Sequence, residues 1–277
     1  MNIDFLVNAV SLAGGLLLDS FNERNKNLAL GIENNYLEEK ALRELVVQED
    51  LLSEKLITKK IKEQSPDARI YSEECNHLSE LPGDTTSLKY IIDPLDGTHN
   101  FHFGLPYWGI SVGVLDVENC AIGGVIYIPA FGIMLKNEGV DCPTQLLLDN
   151  EWQNSSTLGK SIDRSLICYD NQFYKMGHQA MKIYENLACK AFTTRITGSA
   201  VTDAAFIATG RINARIFNKT NSYDVAAGIA IVKSAGGKVT DFCGKAINVL
   251  AEQVVMSSDE VLHDSIVDII SNKNKEG

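Results

Sequence analysis

Residues 91–101 have the sequence IIDPLDGTHNF, in which an apolar segment ends in two aspartates, Asp93 and Asp96. The proline between them stiffens the turn, and Gly97 allows the backbone to approach a ligand closely. If a helix begins near Thr98, the N–H groups of Gly97 and Thr98 point outward and can bind an anion. A plain turn followed by a helix N-cap is the alternative interpretation of this segment taken alone.

Two further acidic clusters stand at the ends of apolar segments. Glu73 and Glu74 follow ARIYS, and Asp224 precedes VAAGIAIV. Sites in α/β proteins are commonly built from strand ends and loops, so the three clusters are expected to converge. Carboxylate oxygens suit Mg²⁺, whereas no Cys or His spacing in the chain is typical of a zinc site.

Composition and charge limit the classes of function. The 277 residues are 45% hydrophobic and 22% charged, which is an ordinary globular composition. The net charge of -11 argues against a nucleic-acid partner but not against an anionic substrate, because a bound metal can invert the local field. The six cysteines form no CxxC pair, which favours reduced thiols in a cytoplasmic protein over disulfides.

The first third of the chain predicts two helices. The apolar run from Phe5 to Leu18 has helical spacing, is too short to span a bilayer and lacks the basic residues that precede a signal sequence, which favours a core helix. A polar loop is expected over 22–36, and a second helix over 38–63. Pro66 then discourages further helix.

The rest of the chain predicts strands and then an alternation of strands and helices. Residues 68–130 contain strand patterns, including a pair joined by DVEN, and 136–163 is expected to be a polar connection. The predicted organisation is an α+β half over 1–145 and an α/β half over 146–277, within one compact unit.

Three segments together resemble the signatures of the inositol monophosphatase family: SEE at 72–74, DPLDGTHNF at 93–101 and YDVAAGIAIVKSAGG at 223–237. Members are Mg²⁺-dependent, lithium-sensitive phosphatases that share a metal-binding core with fructose-bisphosphatases and nucleotide 3′-phosphatases. The resemblance implies a layered αβαβα sandwich of the inositol monophosphatase and fructose-bisphosphatase type, and a homodimer.

The resemblance also implies the metal ligands. One Mg²⁺ would be held by Glu73, Asp93 and the Leu95 carbonyl, a second by Asp93, Asp96 and Asp224, and a third, weaker ion would also use Glu73. Asp224 has an additional interpretation as a helix N-cap, and both roles can hold together.

The catalytic residues implied by the resemblance are Glu73, Asp50 and Thr98, the last two orienting and deprotonating a metal-activated water. Asp50 is alternatively one of several acids on a solvated helix face. Glu74 either organises metal and water indirectly or lies on the surface.

The implied substrate contacts lie around the second signature and around a Gly-Ser pair that alternatively forms a simple helix cap. They are Asp96, Gly97, Thr98, Gly198, Ser199, Ala200, Phe217 and Asp224. His99 and His102 are expected to be surface or packing residues, and no role is assigned to Arg195.

Three positions depart from the family pattern. Tyr223 replaces a usual Trp, and Glu39 aligns with a family Lys, with Lys40 adjacent. Phe217 stands where inositol-specific members commonly have a Glu, which should weaken recognition of inositol hydroxyls.

The expected function is therefore hydrolysis of a small polyol or sugar phosphate. The alternatives are 3′-phosphoadenosine 5′-phosphate or fructose 1,6-bisphosphate as substrate, or a non-catalytic binding or regulatory protein that kept the fold. No nucleic-acid or membrane partner is expected.

Overall fold

In a computed structural model, the described residues are 1–32, 38–41, 44–46, 48–74 and 88–271; for 38–41, 44–46 and Met176, only the backbone is described. The helices are α1 (Asp4–Ala29), α2 (Gln48–Gln64), α3 (Thr98–His102), α4 (Phe173–Ala188), α5 (Ala200–Ala208), α6 (Ser222–Ser234) and α7 (Glu260–Ser271).

Fourteen strands were found within the described residues. They are β1 (Glu38–Ala41), β2 (Glu44–Val46), β3 (Arg69–Ser72), β4 (Lys89–Asp96), β5 (Gly109–Leu115), β6 (Ala121–Ile128), β7 (Ile133–Asn137), β8 (Gln145–Leu148), β9 (Glu151–Asn154), β10 (Leu166–Tyr169), β11 (Thr193–Arg195), β12 (Ala214–Phe217), β13 (Lys238–Thr240) and β14 (Val254–Ser257).

Two sheets form the frame of the molecule. The larger has the order β3-β4-β5-β6-β7-β8-β9 and is antiparallel except for the β3–β4 pair. The smaller has the order β11-β10-β12-β14-β13, with β10 parallel to both of its neighbours and β14 antiparallel to its own. The parallel pairs follow from the strand–helix alternation of the second half.

Helices cover both faces of both sheets. Helices α1 and α2 pack on one face of the larger sheet, and α5 and α6 fill the space between the sheets. Helices α4 and α7 cover the outer face of the smaller sheet. The layers therefore run αβαβα, which confirms the predicted fold class; the division of the chain near residue 145 stays a prediction.

Helix α1 is longer than its apolar run suggested. The predicted loop over 22–36 is wrong up to Ala29, because Phe21 and Arg24 continue the buried stripe of the helix. Residues 33–36 of that segment lie outside the described residues. Phe21 packs on Phe101 and Trp108, with ring centroids 5.5 and 5.2 Å away. The expectation that this segment is too short to span a bilayer is wrong for the full helix, because its 26 residues are long and apolar enough to cross a membrane. In this structure the inner face of the helix packs in the core.

Two other predicted segments also differ. The expected helix over 38–63 begins only at Gln48, after the β1–β2 pair. The β-branched Val46 and Val47 disfavour helix, whereas Glu49 and Asp50 suit a helical first turn. The expected connection over 136–163 contains the β8–β9 hairpin. Its turn residues Asp149 and Asn150 both have positive φ, as favoured hairpin turns require.

Candidate active site

An irregularity in β4 brings Asp93 and Asp96 together. In a regular strand, residues three apart point to opposite faces. Here Asp93 pairs with Ser111 and Asp96 with Gly109, so β4 contains one residue more than β5 between these pairs. Such a bulge reorients the side chains and also tolerates Pro94, which has no N–H to donate. Ser53 of α2 donates a hydrogen bond to the Pro94 carbonyl at 2.7 Å, which holds the bulge against the helix.

Gly97 forms the turn between β4 and α3. Its φ of 85° is left-handed, and a Cβ there would lie 2.6 Å from the Tyr107 carbonyl oxygen and 3.3 Å from Ser199 Cβ. Only glycine fits this position without strain. The α3 helix begins at the next residue, Thr98, whose hydroxyl donates to the Leu95 carbonyl at 3.1 Å.

Asp224 reaches the β4 bulge because α6 lies unusually close to the larger sheet. A Cβ on Gly113 would be 2.6 Å from Ala226 Cβ, and one on Gly124 would be 3.2 Å from Ala227 Cβ. These glycines, on β5 and β6, let the N-terminal half of α6 approach the larger sheet.

The first turn of α6 also fixes the Asp224 carboxylate. Its Oδ2 accepts from the Asn221 N–H at 2.8 Å and from the Thr220 hydroxyl at 3.0 Å. The side chain therefore stabilises the N-terminus of α6, which was the alternative interpretation, and it also faces the other aspartates.

The three aspartates converge. Asp93, Asp96 and Asp224 each offer one carboxylate oxygen, and these oxygens lie within 4.8 Å of one another. Burial raises the pKa of all three carboxyls, and that of Asp224 reaches about 7, with the charge of Asp96 adding to the effect. For Asp93 the charges of Glu73, Asp96, Asp224 and Asp50 raise the pKa further.

Within the described part of the chain, no hydrogen bond compensates the charge of Asp93. Among the residues that the structure describes, neither of its buried carboxylate oxygens has a hydrogen-bond partner. A buried anionic group of this kind is stable only when neutralised or bound to a cation. An all-oxygen donor set around such a group fits Mg²⁺, so the residues present match the metal that the sequence implied.

Helix α5 holds Asp96 from the opposite side. The Ser199 hydroxyl and the Val201 N–H, at 2.8 Å, both donate to Asp96 Oδ2. Ser199 is also the N-cap of α5, where it accepts from the Thr202 N–H at 3.1 Å. The cap interpretation of the Gly-Ser pair is thus observed, and the same serine reaches a candidate metal ligand.

Two of the remaining predicted acids, Glu73 and Asp50, lie near Asp93, and the third, Glu74, is bonded to α2. Glu73 follows the end of β3 and is half-buried, and Asp50 is buried in the first turn of α2. The charges of both reach Asp93 and raise its pKa. Glu74 is half-buried, and its N–H donates to Glu54 Oε2 of α2 at 3.3 Å, so the SEE segment is tied to the same helix as Asp50.

The predicted substrate contacts lie in different environments, some at the start of α5 and one in the core. Gly198, with φ of 78°, precedes the α5 N-cap, and Asn100 of α3 donates to the Thr197 carbonyl at 2.9 Å, which joins α3 to this segment. Ala200 begins α5. Phe217 is only 2% exposed, and the Arg215 guanidinium carbon lies 4.9 Å from its ring centroid. Its ring therefore belongs to the core in this structure, and its contact with substrate stays a prediction.

The residues without an assigned role are exposed or half-buried. His99 is exposed, and burial together with the Arg24 and His99 charges lowers the pKa of His102. Arg195 is exposed and donates to Thr193 Oγ1 at 2.7 Å. Of Glu39 and Lys40, only the backbone in β1 is described, so the predicted loop contact lies outside the described side chains.

Sequence reasoning missed a buried ion pair behind the site. Arg215 Nη1 donates to Asp203 Oδ2 at 2.8 Å and to the Tyr169 carbonyl at 2.7 Å. Burial raises the Asp203 pKa to about 6 despite this partner. Burial also raises the Asp96 pKa, and the Arg215 charge opposes that rise. The sequence did contain a signal for this pair. Asp203 lies within the apolar helical segment SAVTDAAF, and Arg215 lies within the apolar strand segment NARIF.

Comparison with known proteins gives one consistent family. The model of the inositol monophosphatase family matches residues 3–275. A Thermotoga maritima protein named fructose-1,6-bisphosphatase/inositol-1-monophosphatase is 30% identical over 271 residues, covering 97% of this chain and 95% of its own. The Nus factor SuhB of Escherichia coli is 28% identical over 229 residues, covering 81% of this chain and 82% of its own.

Solved structures show the same fold. A Thermotoga maritima IMPase superposes with a TM-score of 0.79 at 26% identity, covering 99% of this chain and 98% of its own. The extragenic suppressor protein suhB of Bartonella henselae has a TM-score of 0.84 at 22% identity, covering 97% of each chain.

Proposed function

The chain belongs to the inositol monophosphatase family, and from this premise we propose that it is a Mg²⁺-dependent phosphomonoesterase acting on a small polyol or sugar phosphate. The observation that carries the proposal is the convergence of three aspartates around Asp93, whose buried oxygens have no hydrogen-bond partner among the described residues. A buried carboxylate of this kind destabilises the folded protein when no cation is bound. Such local destabilisation is typical of residues that form a binding site.

The proposed metal ligands are the carboxylates of Glu73, Asp93, Asp96 and Asp224 and the Leu95 carbonyl, for two or three ions. When bound, Mg²⁺ would lower the pKa of a water molecule and neutralise charge on the phosphate oxygens. The hydrogen bonds from Ser199 and Val201 to Asp96, and from Asn221 and Thr220 to Asp224, orient two of these ligands.

The protein's own groups then orient the water and receive its proton. We assign the proton-accepting role to Asp50, which is buried close enough to Asp93 for the two charges to interact. Thr98 is held at the bulge by its bond to Leu95 and would position the water beside Asp50. The water oxygen would bond to phosphorus as the ester P–O bond breaks. The leaving oxygen would take up a proton from solvent and depart as the alcohol, while Asp50 returns to solvent the proton that it accepted.

The substrate would bind between α3 and α5. Gly97 and Thr98 would contact the phosphate, and Gly198, Ser199 and Ala200 would face the rest of the molecule. Fructose 1,6-bisphosphate and 3′-phosphoadenosine 5′-phosphate are alternative substrates from the same superfamily. The T. maritima relative, whose name includes both fructose-1,6-bisphosphatase and inositol-1-monophosphatase, supports testing both sugar and inositol phosphates.

A second candidate function is a non-catalytic regulatory role. It is favoured by the relatives named Nus factor SuhB, at 28–29% identity. The net charge of -11 weighs against direct nucleic-acid binding, so a partner of this kind would be a protein. We place the protein in the cytoplasm, because its scattered cysteines favour reduced thiols. The family resemblance supports a homodimer and inhibition by lithium.

The test is phosphate release from a panel of esters, each with Mg²⁺ and with EDTA. The panel contains inositol monophosphates, fructose 1,6-bisphosphate, 3′-phosphoadenosine 5′-phosphate and glycerol phosphates. We expect turnover that requires Mg²⁺ and is highest on a polyol or sugar monophosphate. Folded protein that binds Mg²⁺ but releases no phosphate from any ester would favour the regulatory role.

A further inference from the structure

An additional acid, Asp170, follows the end of β10, near the candidate site. Strand β10 ends at Tyr169, which pairs with Ile216 of the parallel strand β12. Continuing that register by one residue places Asp170 beside Phe217, about 4.8 Å away across the sheet. The carboxylate therefore stands at the same edge of the smaller sheet as the end of β12.

The alternation of side chains gives the face on which Asp170 lies. Cys168 and Arg215 are paired in register, and both interact with Asp203 of α5, so their side chains lie on the α5 face. Residues two positions further along each strand return to that face. Asp170 and Phe217 thus share the face that looks toward α5 and the aspartate cluster.

Two observations indicate that Asp170 lies close to the candidate site. It is only 5% exposed, although it follows the last residue of a strand. Its charge is close enough to raise the pKa of Asp224. One oxygen, Oδ1, accepts from the Gln172 N–H at 3.1 Å, which fixes the orientation of the carboxylate. A carboxylate has about four acceptor positions, so this bond leaves capacity for a ligand.

Phe217, which lies beside Asp170 in the β10–β12 register, offers no hydrogen-bond acceptor on its side chain. Phe217 has an apolar ring, which is buried under the Arg215 guanidinium. Of the two strand ends that face the site here, only the one carrying Asp170 provides a hydrogen-bond acceptor on its side chain.

We propose that Asp170 is a specificity-determining residue that accepts a hydrogen bond from a hydroxyl of the substrate's polyol part. The proposal rests on the phosphomonoesterase function proposed above and narrows its substrate class. A carboxylate at this position attracts a hydroxyl and repels a second phosphate group. The favoured substrate is therefore a monophosphate with a free hydroxyl near the ester, and a bisphosphate is disfavoured.

The test compares two esters in the presence of Mg²⁺: inositol 1-phosphate, and p-nitrophenyl phosphate, which has no hydroxyl to offer. The measured quantity is the kcat/KM for inositol 1-phosphate divided by the kcat/KM for p-nitrophenyl phosphate. In Asp170→Ala this ratio should fall about ten- to a hundredfold, which is the range for losing a hydrogen bond to a charged group. The loss should be mainly in KM. Asp170→Asn keeps a carbonyl acceptor and should show a smaller fall.

Asp163→Asn is the matched control, because Asp163 is an exposed acid of the same half of the chain. It should leave the ratio unchanged. Thermal unfolding of each variant shows whether it is folded, and Asp170→Asn serves as the test if Asp170→Ala is not.

The possible failures are distinguishable. An equal loss on both esters, accompanied by a weaker response to Mg²⁺, would show that Asp170 acts through Asp224 and would overturn the proposal. An unchanged ratio, or a wild-type preference for fructose 1,6-bisphosphate, would also overturn it while leaving the phosphatase function intact. If the wild-type protein hydrolyses neither ester but releases phosphate from another ester of the panel, the specificity proposal fails alone. If it releases phosphate from no ester of the panel, the proposed function fails and the specificity proposal fails with it.

Discussion

The hydroxyl of Ser199 donates a hydrogen bond to Asp96, which lies 103 positions earlier in the chain. Ser199 is at the same time the N-cap of α5. One side chain therefore sets both the start of a helix between the two sheets and the orientation of a carboxylate in the larger sheet. The stability of α5 and the geometry of the candidate metal site are linked through this serine.

Ser199→Ala should weaken both features. Loss of the cap should lower the free energy of unfolding by about 1–2 kcal/mol. Loss of the bond to Asp96 should reduce Mg²⁺ affinity about 10–100-fold, as removing a group that orients a metal ligand typically does. Chemical denaturation and Mg²⁺ titration of phosphate release measure the two effects. Ser265→Ala, on the exposed surface of α7, should change neither; a normal Mg²⁺ response in Ser199→Ala would refute the link.

Asp93→Asn should separate stability from metal binding. Removing the charge of a buried carboxylate surrounded by other acids should leave the metal-free protein at least as stable as the wild type. Phosphate release should fall at least about a thousandfold, because the central ligand is lost. Thermal unfolding with and without Mg²⁺ provides the check: the wild type should gain stability from Mg²⁺ and the variant should not. An equal gain in both would show that Asp93 is not a ligand.

Thr98 provides a test of the proposed proton transfer. Thr98→Ala removes the hydroxyl beside the Leu95 carbonyl, and kcat should fall about 10²–10⁴-fold. Thr98→Ser keeps the hydroxyl and should retain kcat within about tenfold. Steady-state kinetics at saturating Mg²⁺ compare the two. Similar losses in both variants would indicate that the methyl group, through packing, is what matters at this position.

The close approach of α6 to the larger sheet predicts the effect of a single methyl group. Gly113→Ala would place Cβ 2.6 Å from Ala226 Cβ and 3.0 Å from the Ala226 carbonyl carbon. The resulting displacement of α6 should cost about 1–3 kcal/mol and weaken Mg²⁺ binding through Asp224. Gly15→Ala is the control: a Cβ there meets nothing within 4 Å on α1, and the variant should gain about 0.5–1 kcal/mol from helix propensity. Denaturation of both variants would decide; an unaffected Gly113→Ala would mean that α6 can move without cost.

His263 predicts how stability depends on pH. Its ring is fully buried between the hydroxyls of Thr240 and Ser257, at 2.7 and 2.8 Å, and burial, with the Lys238 charge, lowers its pKa to about 4. The folded state therefore favours the neutral ring, whereas the unfolded chain takes up the proton near pH 6.5.

His263 makes its full contribution to the free energy of unfolding above about pH 6.5, and this contribution is lost as the pH falls toward about 4. Between pH 7 and pH 5 the free energy of unfolding should drop by about 2 kcal/mol from this residue. Denaturation of the wild type and of His263→Gln across that range measures the difference. If both lose the same amount, His263 is not the responsible group.

The strand ends and signature segments were predictable from sequence because their signals are local. Apolar runs ending in Asp or Gly predicted β4 and α6, and the alternation of elements predicted the smaller sheet. The layered αβαβα arrangement was implied by the resemblance of the three signature segments to the family. The bulge at Pro94 was not predictable, because it depends on how β4 pairs with β5, and hydrophobic pattern alone does not show that register.

The misplaced elements have separate causes. The end of α1 depends on Phe21, which is stabilised by packing on Phe101 and Trp108 rather than by its neighbours in sequence. The Asp203–Arg215 pair and the place of Asp170 depend on the pairing of β10 with β12, and so became visible only in the folded chain. Tertiary contacts override local preference at such positions.

The docking of α6 on the larger sheet also determines when, during folding, the carboxylate set becomes complete. Asp93 and Asp96 belong to an early part of the chain, and Asp224 arrives only when α6 docks on β5 and β6. During synthesis, the first half can begin to fold before residue 224 has left the ribosome, but the complete carboxylate set cannot yet exist. Capture of Mg²⁺ by the full set would therefore mark the end of folding and favour the completed chain over its partly folded precursors.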